Sequence, residues 1–465
     1  AHQPSEITSL GGGSGSGSSS SSSFAYANNK ISAGFEHTCA ILDNGDLKCW
    51  GGDSNGQLGD GGGIMGTNAP SSTAIDLGSG RTAVAVSVGY QHTCAILDNG
   101  ELKCWGSDQS GQLGNGGSNT HTQAPSSTAI DLGPGRTAVA VSAGHTHTCA
   151  ILDNGDMKCW GWDSYGMLGD GGSNDATTEP SSTAIDFGSG RTAVTVAIGY
   201  QHSCAILDNG DLKCWGDDAW GQLGDGASSA SGLNAPSSTA IDLGSGRTAV
   251  AVAAGREHTC AILDNGDLKC WGRDNNGQLG DGGTTHAYST HTTAPSSTAI
   301  DLGSGRTAVA VSAGHHHTCV ILDNGEVKCW GSGGYGQLGD VALYQTTSPA
   351  PSSTAIDLGS GRTAVAMFAG EYHTCAILDN GEAKCWGYDG YGQLGDGGSN
   401  TNQASPVAVS GSDTWDSSTT ASSGSGSGSG GGMTNVTGAT CTVSPALPTG
   451  LNIDGGTCTI SGTPS

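Results

Sequence analysis

Fourteen of the 16 cysteines in this chain fall into pairs ten residues apart, and a histidine stands two residues before the first member of every pair. The pairs are Cys39 with Cys49, Cys94 with Cys104, Cys149 with Cys159, Cys204 with Cys214, Cys260 with Cys270, Cys319 with Cys329 and Cys375 with Cys385. Cysteine at such spacing is a disulfide or a metal ligand, and a recurrent histidine suggests metal or proton chemistry. No C-x-x-C pair seeds a zinc site. A hairpin staple suits the spacing better. Leu42-Asp43-Asn44-Gly45-Asp46 reads as a type I turn closed by Gly45 in the left-handed region. That loop sets Ile41 opposite Leu47 and Cys39 opposite Cys49. Alternation outward from the closing pair makes the cysteines a non-hydrogen-bonded pair, with Cα atoms about 4.5 Å apart, which a disulfide accepts. Each bridge closes a short loop and contributes about 3 kcal/mol or less. Bridges in this number imply an oxidising setting, so the expected location is extracellular or the cell surface. The histidines are expected to make one and the same hydrogen bond, each within its own repeat.

The elements that must hold these residues follow from the repeat. Close variants of H-T-C-A-I-L-D-N-G-D-L-K-C-W-G begin at His37, His92, His147, His202, His258, His317 and His373. One copy cannot bury its own apolar face and must stack on the next. Each copy reads as four short strands. In the second copy these are 82–87 innermost, 93–97 and 101–105 as the stapled hairpin, and 127–132 outermost. Cys39, Ile41, Leu47 and Cys49 share one face of the hairpin, and Ala40, Leu42 and Trp50 share the other. A sheet apolar on both faces fits a blade held between two blades.

G-x-x-H-T-C-A-I-L-D-N-G-D-L-K-C-W-G followed by G-Q-L-G-D resembles the repeat of the regulator of chromosome condensation family, in its disulfide-stapled, secreted form. The likeness spans roughly residues 29–410. It implies an all-β fold, a seven-bladed β-propeller over residues 24–413. A first inner strand at 30–33 and a last strand at 406–410 let the ring close. The family's founding member exchanges nucleotide on a small GTPase and docks on nucleosomes. Neither role carries over, because the charge argues against chromatin and the disulfides against the nucleus.

The flanks differ from the repeat. Residues 1–23 hold a short strand-like segment at 5–10 and a Gly/Ser-rich tether, and 414–432 read as a Gly/Ser-rich linker. Residues 433–465, with Cys441 and Cys458 as a further expected disulfide, resemble the immunoglobulin-like modules of bacterial and archaeal surface proteins. This small β-sandwich is incomplete, since such modules continue with more strands after the S-G-T-P turn. Either the chain is truncated or the missing strand is supplied from elsewhere, with 5–10, or another segment of a neighbouring copy, the candidate. Asn435-Val436-Thr437 is a glycosylation sequon.

Composition narrows the function. Net charge is −26, and of the 16 basic residues only Lys30, Arg256 and Arg273 lie outside repeat positions. No basic patch can form, which argues against nucleic acid and anionic membranes as partners. No stretch is apolar enough to span a membrane as a helix. No catalytic constellation stands out, so no enzyme is expected and no cofactor. Asp60-Gly61-Gly62 and its copies could take calcium but lack the D-x-D-x-D-G ligand spacing. Asp76 and Arg81, repeated in later copies, read as a local ion pair. Variation carries the functional signal. The turns D-N-G-D/E and D-L-G-S-G-R-T hardly change between copies. The loops before each His and after each W-G, which share the opposite face, vary freely. Phe35, Tyr90, Trp162, Tyr165, Tyr200, Trp220, Tyr335, Tyr372, Tyr388 and Tyr391 make that face aromatic-rich. They are the expected binding face for an extracellular protein, a glycan or further copies of the chain. The expected function is a self-assembling structural or binding protein of a cell surface or filament. The competing reading is a monomeric lectin-like or adhesive module of a larger surface protein.

Overall fold

The computed structural model describes residues 30–415, apart from 64, 118–120, 173–175 and 284–290, together with the backbone of 451–453 and 460–462. Cys441, Cys458, Asn435, the segment 5–10, both Gly/Ser-rich stretches and nearly all of the immunoglobulin-like region lie outside the described residues. In the tail, Leu451–Ile453 pairs antiparallel with Ile460–Gly462.

The turn sets everything else in a blade. Gly45 takes φ 83° and donates to Leu42 O over 2.9 Å, and Leu42 N donates to Asp46 O over 2.8 Å. A side chain at that φ is strained, so glycine fits where others do not. The turn leaves His37–Ile41 paired with Leu47–Gly51, Cys39 facing Cys49. All seven pairs are disulfides, with Cα atoms 4.0 to 4.1 Å apart. An inner strand such as Ala83–Val88 adds to the hairpin, with a bulge between Ala83 and Ala85. Seven such sheets make a seven-bladed β-propeller.

The outer strand is not where the sequence suggested. Residues 127–132 form no strand. Their Ile130 N bonds Leu102 O, and Leu132 goes into the core. Pairing outside the hairpin comes earlier in the chain. In the first three blades it is a single bridge from Gly51, Gly106 or Gly161 to Thr67, Thr122 or Thr177. In the last four it is a strand: Ser229–Leu233, His291–Thr292, Thr347–Ser348 and Gln403–Ala408. Proline and serine crowd 125–127, where no ladder could use the missing N–H.

Core lies between blades. The cysteine face of one hairpin (Cys39, Ile41, Leu47, Cys49) packs on the tryptophan face of the next (Ala95, Leu97, Trp105). All seven of these tryptophans are fully buried. Trp105 Nε1 donates to Gln57 O of the preceding blade over 3.1 Å. Gly59 lies against the same indole with φ 73°, and a Cβ there would stand 2.3 Å from Nε1. G-Q-L-G-D is therefore a socket for the next blade's tryptophan.

The ring is closed by residues expected to begin the linker. Trp415 is 2 % exposed, bridges Leu42 and donates its backbone N–H to Gly381 O, while Thr414 O accepts from Asp43 N. Thr82 and Ala83 make the same two bonds, to Asp98 N and Gly45 O, in the second blade. Thr414 and Trp415 thus start the inner strand that Ile31–Ala33 continues. The Trp415 ring packs 5.4 Å from that of Trp50.

Candidate functional site

The seven repeat histidines are structural. Each is 0 % exposed. Each Nε2 contacts the hydroxyl of the next blade, not a group in its own repeat as expected: His37 with Thr93 at 2.8 Å, His92 with Thr148, His147 with Ser203, and so on to His373 with Thr38 at 2.7 Å. The hydroxyls fix the tautomer. Thr93 Oγ1 donates to Gln57 O, so it can only accept from His37, which therefore carries its proton on Nε2. Burial first, and neighbouring histidines second, lower His37 to about 3. These rings are neutral struts between blades at neutral pH.

The variable face holds the candidate site. Each inner strand ends in a glycine, and the residue after it stands at the axial mouth of the ring. In blade order these residues are Phe35, Tyr90, His145, Tyr200, Arg256, His315 and Glu371. Phe35 stacks on Tyr90 with centroids 4.8 Å apart. Tyr90 meets His145 at 4.2 Å, and His145 meets Tyr200 at 4.1 Å. The Arg256 guanidinium lies 5.0 Å from the Tyr200 centroid and donates to His315 Nε2 over 2.6 Å. His315 touches Tyr372 at 5.0 Å, and Tyr372 touches Phe35 at 5.9 Å, which completes the circle. Within it lies a cavity of about 110 Å³, floored by the ends of the inner strands.

Charge in the mouth is uneven. Burial lowers His145 to about 4, helped by Arg256. Burial, His316 and Arg256 together lower His315 to about 2. Both rings are neutral at physiological pH. Burial pushes Glu371 up to about 7, against the pull of Arg256 and with the repulsion of Glu36. Glu36 is raised by burial too, although Tyr391, Ser54 and Gln91 hydrogen-bond to it.

Seven of the ten aromatic residues expected on the face join one network. Tyr335 contacts Tyr372 and Tyr388 at 5.1 Å, and Tyr391 contacts Phe35 and Tyr388 at 6.1 Å. These tyrosines extend the mouth outward over the sixth and seventh blades. Trp220 belongs to a separate patch, with Arg273 4.5 Å from its ring and His291 edge-on. Trp162 and Tyr165 are exposed and make no ring contact among the described residues. Sequence reasoning missed His145, Arg256, His315 and Glu371 as site residues. The available signal was their shared position, directly after the glycine that ends each inner strand.

On the other face the expected Asp76–Arg81 pair does not form. Arg81 meets Asp98 at 3.3 Å, while Asp76 Oδ1 accepts from Gly78 N over 2.9 Å. The Asp60 loop closes on itself, Oδ1 accepting from Gly62 N over 2.7 Å. Among the described residues no group of three or more His, Cys, Asp or Glu is placed to hold a metal ion.

Comparison with known proteins agrees with the geometry. The sequence matches the RCC1-like domain over residues 15–306 and the regulator of chromosome condensation (RCC1) repeat over 308–337, 364–393 and 324–377. It is 32 % identical over 335 residues to the ultraviolet-B receptor UVR8 of Arabidopsis thaliana, covering 71 % of this chain and 70 % of that protein. It is 28 % identical to the human E3 ubiquitin-protein ligase HERC2 over 79 % of this chain but 7 % of that much longer protein. Among solved structures, Prp20p of Saccharomyces cerevisiae, described with its binding to Gsp1p and histones, superposes with TM-score 0.67 at 20 % identity, covering 84 % of this chain and 88 % of that one. Human WBSCR16 superposes with TM-score 0.66 at 21 % identity, covering 78 % and 92 %. At these identities the two structures speak for the fold alone.

Proposed function

The chain belongs to the RCC1-like repeat family, and from that premise we propose that it is a non-enzymatic extracellular binding and structural protein whose individualised propeller face holds a protein or glycan partner. The observation that carries the reading is the continuous aromatic network around the mouth. Seven geometrically equivalent positions carry five different residue types there, while the buried contacts between blades repeat. Half-buried aromatic rings with polar tips are the groups that dominate partner binding elsewhere. Seven disulfides support an oxidising location. The net charge of −26 supports a partner other than nucleic acid.

Self-assembly belongs to the same proposal. It draws on the strand-like sequence of segment 5–10, which adds to a sheet of a neighbouring copy by strand addition. The alternative of a monomeric lectin-like module draws on the exposed Trp162, Tyr335 and Tyr391, flat platforms suited to sugar rings.

Sedimentation of the full chain over a range of concentrations, beside a glycan array, separates the two. Concentration-dependent polymers support assembly, and specific array hits on a monomer support the lectin reading. A monomer that binds no glycan, together with a W162S/Y335S/Y391S variant that behaves identically, overturns both.

A further inference from the structure

The axial cavity has a chemistry of its own. It holds about 110 Å³, less than the roughly 150 Å³ of a buried cavity that accepts benzene, so it suits a head group and not a drug-sized ligand. Two charged side chains line it, and they are not equivalent. Arg256 has partners, with Glu257 3.6 Å from its Nε and His315 accepting from its guanidinium. The Glu371 carboxylate has no hydrogen bond or ion pair among the described residues, although it is largely buried. Beside it stand the stacked rings of Phe35 and Tyr90, with Tyr372 edge-on to Phe35. Glu36, outside the cavity lining, raises Glu371 further by repulsion. An unpaired carboxylate in a cavity rimmed by aromatic rings attracts a cation whose own surface is apolar. A bare metal ion would find too few oxygen ligands.

We propose that this cavity binds an organic ammonium group, seated against Phe35 and Tyr90 and neutralised by Glu371. The proposal rests on the variable face being the binding face. The ammonium is either a free small molecule or the side chain of a lysine presented by a partner. The groups facing Glu371 are Arg256 from the fifth blade, His315 from the sixth, Glu36 and Tyr90 from the first two, and its neighbour Tyr372. Of these, the histidine is neutral and the tyrosines are protonated in the range tested, and Glu36 lies outside the cavity lining, so Glu371 is the titrating group that a ligand meets directly. Its folded value of about 7 adds a negative charge to the cavity above that pH and removes it below.

The test is calorimetric titration of the full chain with choline, with its uncharged carbon isostere dimethylbutanol, and with Nα-acetyl-lysine methylamide. Choline is expected to bind at one site per chain, and the isostere about tenfold more weakly or worse. Choline affinity should fall about tenfold between pH 8 and pH 6. E371Q should lose about tenfold at pH 8 and lose the pH dependence. Equal binding of the lysine derivative assigns the site to a partner's lysine, and its exclusion assigns it to a free ammonium. Absence of binding by both cations, or equal affinity for the isostere, overturns the proposal. The wild-type comparison stands even where E371Q does not fold. Tyr335 and Tyr391 do not line the cavity, so a W162S/Y335S/Y391S variant that loses its macromolecular partner should still bind choline.

Discussion

Two rings run around the same axis of this molecule, and they obey opposite rules. The buried belt of histidine, hydroxyl, tryptophan and carbonyl repeats around the ring with little change, Ser203 standing for threonine and Met167 for glutamine as the departures. The mouth, one loop away, repeats its backbone and hardly any side chain. Every belt contact crosses between blades, so each blade must present the same donor to one neighbour and the same acceptor to the other. A change in one copy leaves a buried partner unmatched. A mouth residue touches its neighbours ring to ring, where phenyl, imidazole and guanidinium groups substitute with little penalty. Symmetry is enforced where desolvation is complete and released where it is partial.

Acid should hit the belt hardest, since all seven histidines respond together. Their folded values lie near 3 or 4 against 6.5 unfolded, so between those limits the unfolded chain binds more protons. Stability is complete above pH 6.5 and is lost as pH falls toward 3. Asp53, Asp108, Asp274 and Asp389, raised to about 6 by burial, and Asp218, raised to about 7, act in the opposite sense, but they are fewer than the histidines and four of the five move less far from their ordinary value. Melting midpoints followed by circular dichroism should therefore drop steadily below pH 6.5. A flat profile would remove the belt as the main pH-sensitive element.

W415A comes next, at about 3–5 kcal/mol, because it empties the seam that joins first blade to last. Denaturant titration measures it, and a loss under about 1 kcal/mol would show that the seam is closed by other contacts. T93V should cost about 1–3 kcal/mol by leaving the His37 Nε2–H and Gln57 O without their shared partner. Y335A with Y391A should change stability by less than about 1 kcal/mol, since both residues are exposed, while weakening the partner complex. That pair sharpens the contrast directly: belt changes cost folding and mouth changes cost binding. Smallest of all is R81Q on the uniform face, within about 0.5 kcal/mol, because the Arg81–Asp98 pair is more than a third exposed.

Sequence disclosed what is local and periodic. The hairpin register around Gly45 could be worked out from turn geometry, and the cysteine pairing followed from it. The propeller followed from the repeat and from its likeness to a known family. Contacts between blades were not legible in the same way. His37 and Thr93 are 56 residues apart, and nothing in one copy says whether its histidine turns inward or toward the next sheet. The outer strand was misplaced because one bridged residue such as Thr122 has no pattern to read. The aromatic residues of the face were visible, but the circle they form was not. It depends on which residue of a variable loop stands nearest the axis, and the preceding glycine marks that only once the inner strand is known to end there.

Lys30 and Trp415 lie along one inner strand, the first accepting from Ile41 N and the second bridging Leu42. The polypeptide therefore enters and leaves the wheel at nearly the same point. A pull applied through the segments before 30 and after 415 would load that one seam, while the intervening blades hang beside the line of tension and bear little of it. Mechanical strength would then be set by a single short stretch of pairing plus one indole, whatever the stability of the remaining sheets.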